Sequence, residues 1–224
     1  MDLLNNLGRA LLAGICISIG GIVYLKIGGV AGAVLFAFGL LAVVTLQLNL
    51  FTGKSQFVWG ADFRGYSWLL VMLAGNFAGC LATALAVNTP ALSEAAGAII
   101  ETRLAAGPLR CGVLAVGCGF IMTTAVRGAA GGNWWPLLFG VPAFIICGFP
   151  HCVADAFYIS SSLLDPDFAL THDVALILPF YAAAVLGNFL GCNLYRLALP
   201  GAPSPFPSET KKATVEGANT EKSV

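Results

Sequence analysis

Charge is scarce in this chain. Eleven basic and eleven acidic residues among 224 make 10% of the sequence charged, with a formal net charge of zero. Soluble domains carry roughly 25% charged residues. The shortage excludes an ordinary water-facing surface, and the neutral balance offers no basic patch for nucleic acid. Histidine is scarcer still, at two residues. Seven cysteines lie at positions 16, 80, 111, 118, 147, 152 and 192, none paired at zinc-ligand spacing, so neither a metal centre nor a cofactor is expected. All seven sit in or beside apolar runs and read as small buried hydrophobes. Residues 1–9 lack a basic leader and a small-residue cleavage site, so the first apolar stretch reads as a retained span.

What the chain has is apolar sequence, 58% of it by residue, with 27 glycines. A membrane-crossing helix needs roughly 20 consecutive apolar residues. Six stretches qualify: 7–27, 28–60, 66–87, 109–126, 134–164 and 174–197. The second and fifth are too long for one span. Each contains a helix-unfriendly core: Gln47-Leu48-Asn49-Leu50-Phe51-Thr52-Gly53 in one, Cys147-Gly148-Phe149-Pro150-His151 in the other. Proline removes a donor and glycine costs about 1 kcal/mol in a helix interior, so each stretch is predicted to be two half-helices joined by an irregular segment. Such backbone persists at membrane depth only when buried in protein or lining a cavity.

The sequence also repeats. Gly75-Asn76-Phe77-Ala78-Gly79-Cys80 in the third stretch matches Gly187-Asn188-Phe189-Leu190-Gly191-Cys192 in the sixth. The order is therefore plain, broken, GN-F-x-G-C, twice over. Three spans per repeat place the halves in opposite orientations. The expected fold is an all-α polytopic membrane protein: six transmembrane elements in two inverted three-helix repeats, aquaporin-like, with the second and fifth helices broken.

The cations favour one orientation. With a cytoplasmic N-terminus the inner side carries Arg9, Lys54, Arg64, Arg127, Arg196, Lys211, Lys212 and Lys222, against Lys26, Arg103 and Arg110 outside. The expected organisation is a multi-pass channel domain over 1–199 in the inner membrane. A disordered cytoplasmic tail over 200–224, rich in Pro, Ser, Thr, Lys and Glu, follows it.

His151 is the most informative residue, because an ionisable group inside a span is costly. It is expected to rest as neutral imidazole with a hydrogen bond fixing its tautomer, or else to serve as a structural group holding the break. Asp155 is either its partner or, more in keeping with its position, a cap on the second half-helix. Phe36, Leu40, Leu50, Phe51 and Phe144 read singly as core or lipid-facing bulk. Around the breaks they could form apolar constrictions. Thr52 offers a hydroxyl beside them or caps the half-helix near Gly53. An intramembrane enzyme using His151 with Cys152 or Asp155 is disfavoured, since adjacent side chains on a helix do not face one another. A scaffold without a pore is disfavoured because it gains nothing from interrupted helices.

Leu50-Phe51-Thr52-Gly53, the loop Gly148-Phe149-Pro150-His151-Cys152-Val153-Ala154-Asp155 and the two GN motifs together resemble the formate–nitrite transporter family over nearly the whole chain. The resemblance implies a homopentamer with a pore in each protomer, passing formate, nitrite, hydrosulfide or a relative, or the conjugate acid. By position it places His151 centrally with Thr52 opposite, Leu50, Phe51 and Phe144 on the pore, and Phe36 and Leu40 at the inner constriction. Asn188 falls on a pore-lining Asn, and Arg103 on an anion-attracting Lys. The chain departs from the pattern at Pro150 (usually Glu), Arg103 (usually Lys) and Gly119 (usually Asn). Cys118-Gly119 and the run from His151 to Asp155 look more like the hydrosulfide branch.

Overall fold

A computed structural model describes residues 3–58 and 63–200. The expected tail beyond residue 200 lies outside the described residues. The described chain is helical throughout: α1 Leu3–Ile27, α2 Gly29–Thr45, α3 Phe51–Lys54 continued by a 3-10 turn Ser55–Phe57, α4 Phe63–Val87, α5 Pro90–Ala130, α6 Trp135–Ile146, α7 Cys152–Ser162, α8 Pro166–Thr171, α9 Val174–Cys192 and α10 Leu194–Ala198. Helices α1, α4, α5 and α9 are long and apolar enough to cross a membrane. Large apolar side chains point outward from the bundle, among them Phe38, Leu70, Val113 and Leu186, each more than half exposed. With four such helices, that surface belongs in a bilayer.

Both overlong stretches are broken. Residues 46–50 separate α2 from α3, and residues 147–151 separate α6 from α7. The two exits share one geometry. Leu48 N–H donates to the Val43 carbonyl and Phe149 N–H to the Phe144 carbonyl, each reaching back five residues at 2.9 Å. The residue before each donor takes a positive φ: 52° at Gln47 and 67° at Gly148. This is the left-handed turn that closes many helices.

Helix α5 differs from the reading of the sequence. It begins at Pro90, well before the expected span at 109, and its first half ends at Gly107, where φ is 78°. Glu94, Glu101 and Arg103 interrupt the apolar run there, which hid the helix from a hydropathy reading. The start signal was nonetheless present, with Thr89 accepting from the Leu92 N–H and Pro90 in the first turn.

Packing places α7 at the centre. It touches α5, α4 and α1, and all of its residues are buried. Around it α1 packs on α2 and α4, α5 on α9, and α6 between α5 and α2. Glycines permit the close crossings of α1 on α4 and of α5 on α9. A Cβ on Gly14 would collide with the Asn76 carbonyl, and one on Gly119 with the Asn188 carbonyl. The Asn that the resembled family usually has where this chain has Gly119 would not fit against this α5–α9 crossing.

Candidate functional site

The GN-F-x-G-C repeat holds the two breaks. Asn76 Oδ1 accepts the Phe51 N–H at 2.9 Å, and its Nδ2 donates to the Asn49 carbonyl at 2.8 Å and the Ala10 carbonyl at 2.7 Å. Asn188 makes the corresponding set: Oδ1 from the Cys152 N–H at 2.8 Å, Nδ2 to the Pro150 and Ala115 carbonyls at 2.9 Å each. A carboxamide supplies one acceptor and two donor protons, and each break needs both kinds of partner. The cysteines one turn on reach across to the half-helix after the opposite break. Cys192 Sγ donates to the Thr52 carbonyl at 3.2 Å, and Cys80 Sγ to the Val153 carbonyl at 3.3 Å. Each GN helix therefore grips one break through its Asn and the start of the half-helix after the other break through its Cys. The sequence placed Asn188 on a solute path, but both of its amide protons are engaged by backbone. Asn76, noted in the sequence only as half of a repeat, has the same role.

His151 ends the second break and starts α7. Its Nδ1 accepts the Ala154 N–H at 3.1 Å, so that nitrogen bears no proton. The proton of the neutral ring is then on Nε2, which donates to Thr52 Oγ1 at 3.0 Å. The expected fixed tautomer is thus supplied by two bonds, one from each half of the chain. The cap on α7 is His151 itself, not Asp155. Asp155 is not the partner of His151 either; it faces Arg103, with Oδ1 3.6 Å from Nε. Thr52 does not cap α3, whose first residue is held by Asn76.

A cavity of about 210 Å³ runs beside this ring. His151, Phe36, Phe144, Arg103 and Asp155 all border it, with Tyr24, Thr102 and Tyr158. Phe144 stacks on the His151 ring at 5.6 Å between centroids and meets Phe36 edge-on at 6.1 Å. Phe36, expected at the inner constriction with Leu40, instead shares the Arg103 side with Phe144, because α2 and α6 pack together. Leu40, Leu50 and Phe51 are buried but do not border this cavity. Arg103, which the resemblance places on an anion-attracting Lys, is largely buried. Its side chain is 12% exposed, and Nη1 donates to the Gly148 carbonyl in the break.

The sequence model described as formate/nitrite transporter matches residues 1–199. The chain belongs to the formate/nitrite transporter family. Members of this family are transporters and channels of membranes, not enzymes. The uncharacterized transporter YrhG of Bacillus subtilis (strain 168) is 26% identical over 187 residues, covering 73% of this chain and 68% of that one. The fold is similar to that of a pentameric formate channel with formate bound, with a TM-score of 0.75 at 20% identity over 88% of this chain and 95% of the other. It is also similar to an FNT family ion channel, with a TM-score of 0.74 at 19% identity over 90% and 92%.

Proposed function

We propose that this family member is a channel for small monovalent anions such as formate, nitrite or hydrosulfide, or their conjugate acids. The observation that carries the reading is a buried imidazole, bonded to Thr52, bordering a cavity through an aromatic pair. Phe36 and Phe144 form the constriction on the Arg103 side; Leu40, Leu50 and Phe51 form the one beyond His151. Apolar rings make a bare charge expensive to pass. The ring between them is an imidazole, a side chain whose two nitrogens can take up and release a proton. Arg103 meets the solute at the mouth. Asn188 and Asn76 hold the backbone that carries these groups.

In this reading six elements cross the inner membrane as two inverted repeats, with both termini cytoplasmic, and five copies assemble with a pore in each. The likeness to a pentameric channel supports the assembly. Cys118 and the run His151-Cys152-Val153-Ala154-Asp155 favour the hydrosulfide branch. A proteoliposome flux panel of formate, nitrite, hydrosulfide, acetate and chloride tests the function. Saturable flux of one or more weak-acid anions, with chloride excluded, is the expected result. Vesicles no leakier than empty ones to all five would sink it. Native mass spectrometry in mild detergent should give mainly pentamer.

A further inference from the structure

Asp155 is a buried carboxylate that faces Arg103 but lacks hydrogen-bond partners among the described residues. It is 1% exposed, and among the described residues neither of its oxygens receives a hydrogen bond. Arg103 Nε, 3.6 Å away, also lacks a hydrogen-bonding partner among the described residues. Buried polar atoms are nearly always satisfied, and exceptions call for a missing partner. Both groups border the same cavity as His151. The His151 nitrogens cannot supply the missing bonds, since one accepts from Ala154 and the other engages Thr52. The hydroxyls bordering the cavity are those of Tyr24 from α1, Thr102 from α5, which donates to the Ala98 carbonyl, and Tyr158 from α7.

The unused atoms define a ligand. Together they present one guanidinium N–H donor and two carboxylate acceptors, with no net charge. A bare monovalent anion here meets attraction from Arg103 and repulsion of the same order from Asp155, because the two charges are so close. It also has no proton to offer Asp155. A small neutral solute carrying both a donor proton and an acceptor satisfies both groups. It donates to Asp155 and accepts from Arg103 Nε. That is the hydrogen-bonding pattern of the protonated form of a weak acid, and also of a primary amide.

We propose that Arg103 and Asp155 form a charge-compensated subsite for the neutral, proton-bearing form of the solute. The site selects the conjugate acid in the vestibule, before the solute reaches His151. The inference deepens the channel reading and rests on it for the identity of the natural solute. The subsite itself can be tested without transport.

The probes are formamide, neutral with donor and acceptor, and nitrate, permanently ionised and acceptor-only. Saturation-transfer NMR on the C–H proton of formamide, with the full chain in detergent micelles, reads weak binding directly. In the wild type we expect a saturable formamide signal that nitrate displaces at least about tenfold less effectively than excess acetamide does, the margin of a charge-assisted hydrogen bond. Asp155→Asn should weaken formamide about tenfold or more and let nitrate bind beside the uncompensated Arg103. Arg103→Gln, at a less buried position, should weaken formamide by a similar factor while leaving nitrate excluded. No saturable formamide signal in the wild type, nitrate displacing it as well as acetamide does, or formamide binding unchanged in Arg103→Gln would each overturn the subsite. The wild-type and Arg103→Gln arms decide even if Asp155→Asn does not fold. Formamide binding without any anion flux in vesicles would sink the channel reading and leave the subsite standing.

Discussion

The two breaks share a backbone and differ in chemistry. Both leave a helix through a residue at positive φ, and both are gripped by an Asn carboxamide making three bonds. Aligned on that turn, Gln47 matches Gly148, Asn49 matches Pro150, Leu50 matches His151 and Thr52 matches Val153. The first break starts a helix with Leu50, which has no polar atom to cap it, and α3 lasts four residues. The second starts with His151, which caps α7, and that helix lasts eleven. The hydroxyl stands on one side and the imidazole on the other, bonded to each other across the middle. The shared features build the irregular backbone. In the proposed reading the unshared ones carry the chemistry.

Removing a shared feature should therefore give the largest effect. Asn188→Ala leaves the Cys152 N–H and the Pro150 and Ala115 carbonyls buried without partners. Each orphaned group costs about 1–3 kcal/mol, so a loss of about 3 kcal/mol or more is expected. Thermal unfolding in detergent should show it, and Asn76→Ala should match it within about 1 kcal/mol if the two clamps are equivalent. A large loss at one Asn and none at the other would break the comparison.

Removing an unshared feature should spare the fold and change transport. His151→Leu gives the second break the residue of the first. It loses the cap and the bond to Thr52, for about 1–2 kcal/mol of stability. Weak-acid flux in vesicles should fall about tenfold or more, the worth of one strong bond to a charged or proton-exchanging solute. His151→Asn keeps a capping oxygen but cannot titrate. Wild-type flux should rise as external pH falls, partly through protonation of the solute itself. In His151→Asn only that solute contribution should remain. If His151→Asn keeps the full wild-type flux and pH profile, the imidazole is structural.

Much of this arrangement was readable from the sequence. Stretches too long for one span, with Gly, Pro and polar residues at their centres, located the second break at its observed residues and the first with its end three residues too late. The GN repeat announced that two places in the fold were built alike. What the sequence hid was direction. Nothing in the spacing says that Asn188 points at backbone instead of solute, since both roles need a buried carboxamide. Asp155 four residues after His151 looked like a cap, and only the packing of α5 on α7 turns it toward Arg103. Arg103 itself lay in a stretch whose charges disguised a helix. Phe36 and Leu40 are one turn apart on α2, yet the packing of α6 decides which of them meets the cavity.

Thr52→Val makes the first break identical to the second at that position. The His151 Nε2–H loses its acceptor, while the Thr52 carbonyl still receives the Cys192 thiol. A loss of about 1–2 kcal/mol is expected, from one buried donor left unpaired. Thr52→Ser should restore it. Flux should fall in step with ring orientation, so Ser should rescue transport as well. Stability lost in Thr52→Val and recovered in Thr52→Ser, with flux unmoved by either, would separate the hydroxyl from the path.

The smallest effect concerns the turn itself. Gln47 holds a φ of 52° that a side chain makes costly, whereas Gly148 holds 67° freely. A left-handed residue other than glycine costs roughly 1–2 kcal/mol. Glycine returns about 0.5–1 kcal/mol of that through the greater freedom of the unfolded chain. Gln47→Gly should thus stabilise the protein by roughly 0.5–1 kcal/mol, the difference of those terms. Gln47 is exposed, and the hydrogen bonds given for it are both through its backbone, the N–H donating to the Val44 carbonyl and the carbonyl accepting from Arg9, so little packing complicates the result. Gly148→Ala should cost the same amount in the opposite sense, because a Cβ there meets nothing within 4 Å. Equal and opposite shifts in unfolding temperature would show that the two turns are the same device with different residues. A Gly148→Ala loss several times larger would mean that the second break is held more rigidly than the first. The bond from Arg103 to the Gly148 carbonyl would then be the place to look for the cause.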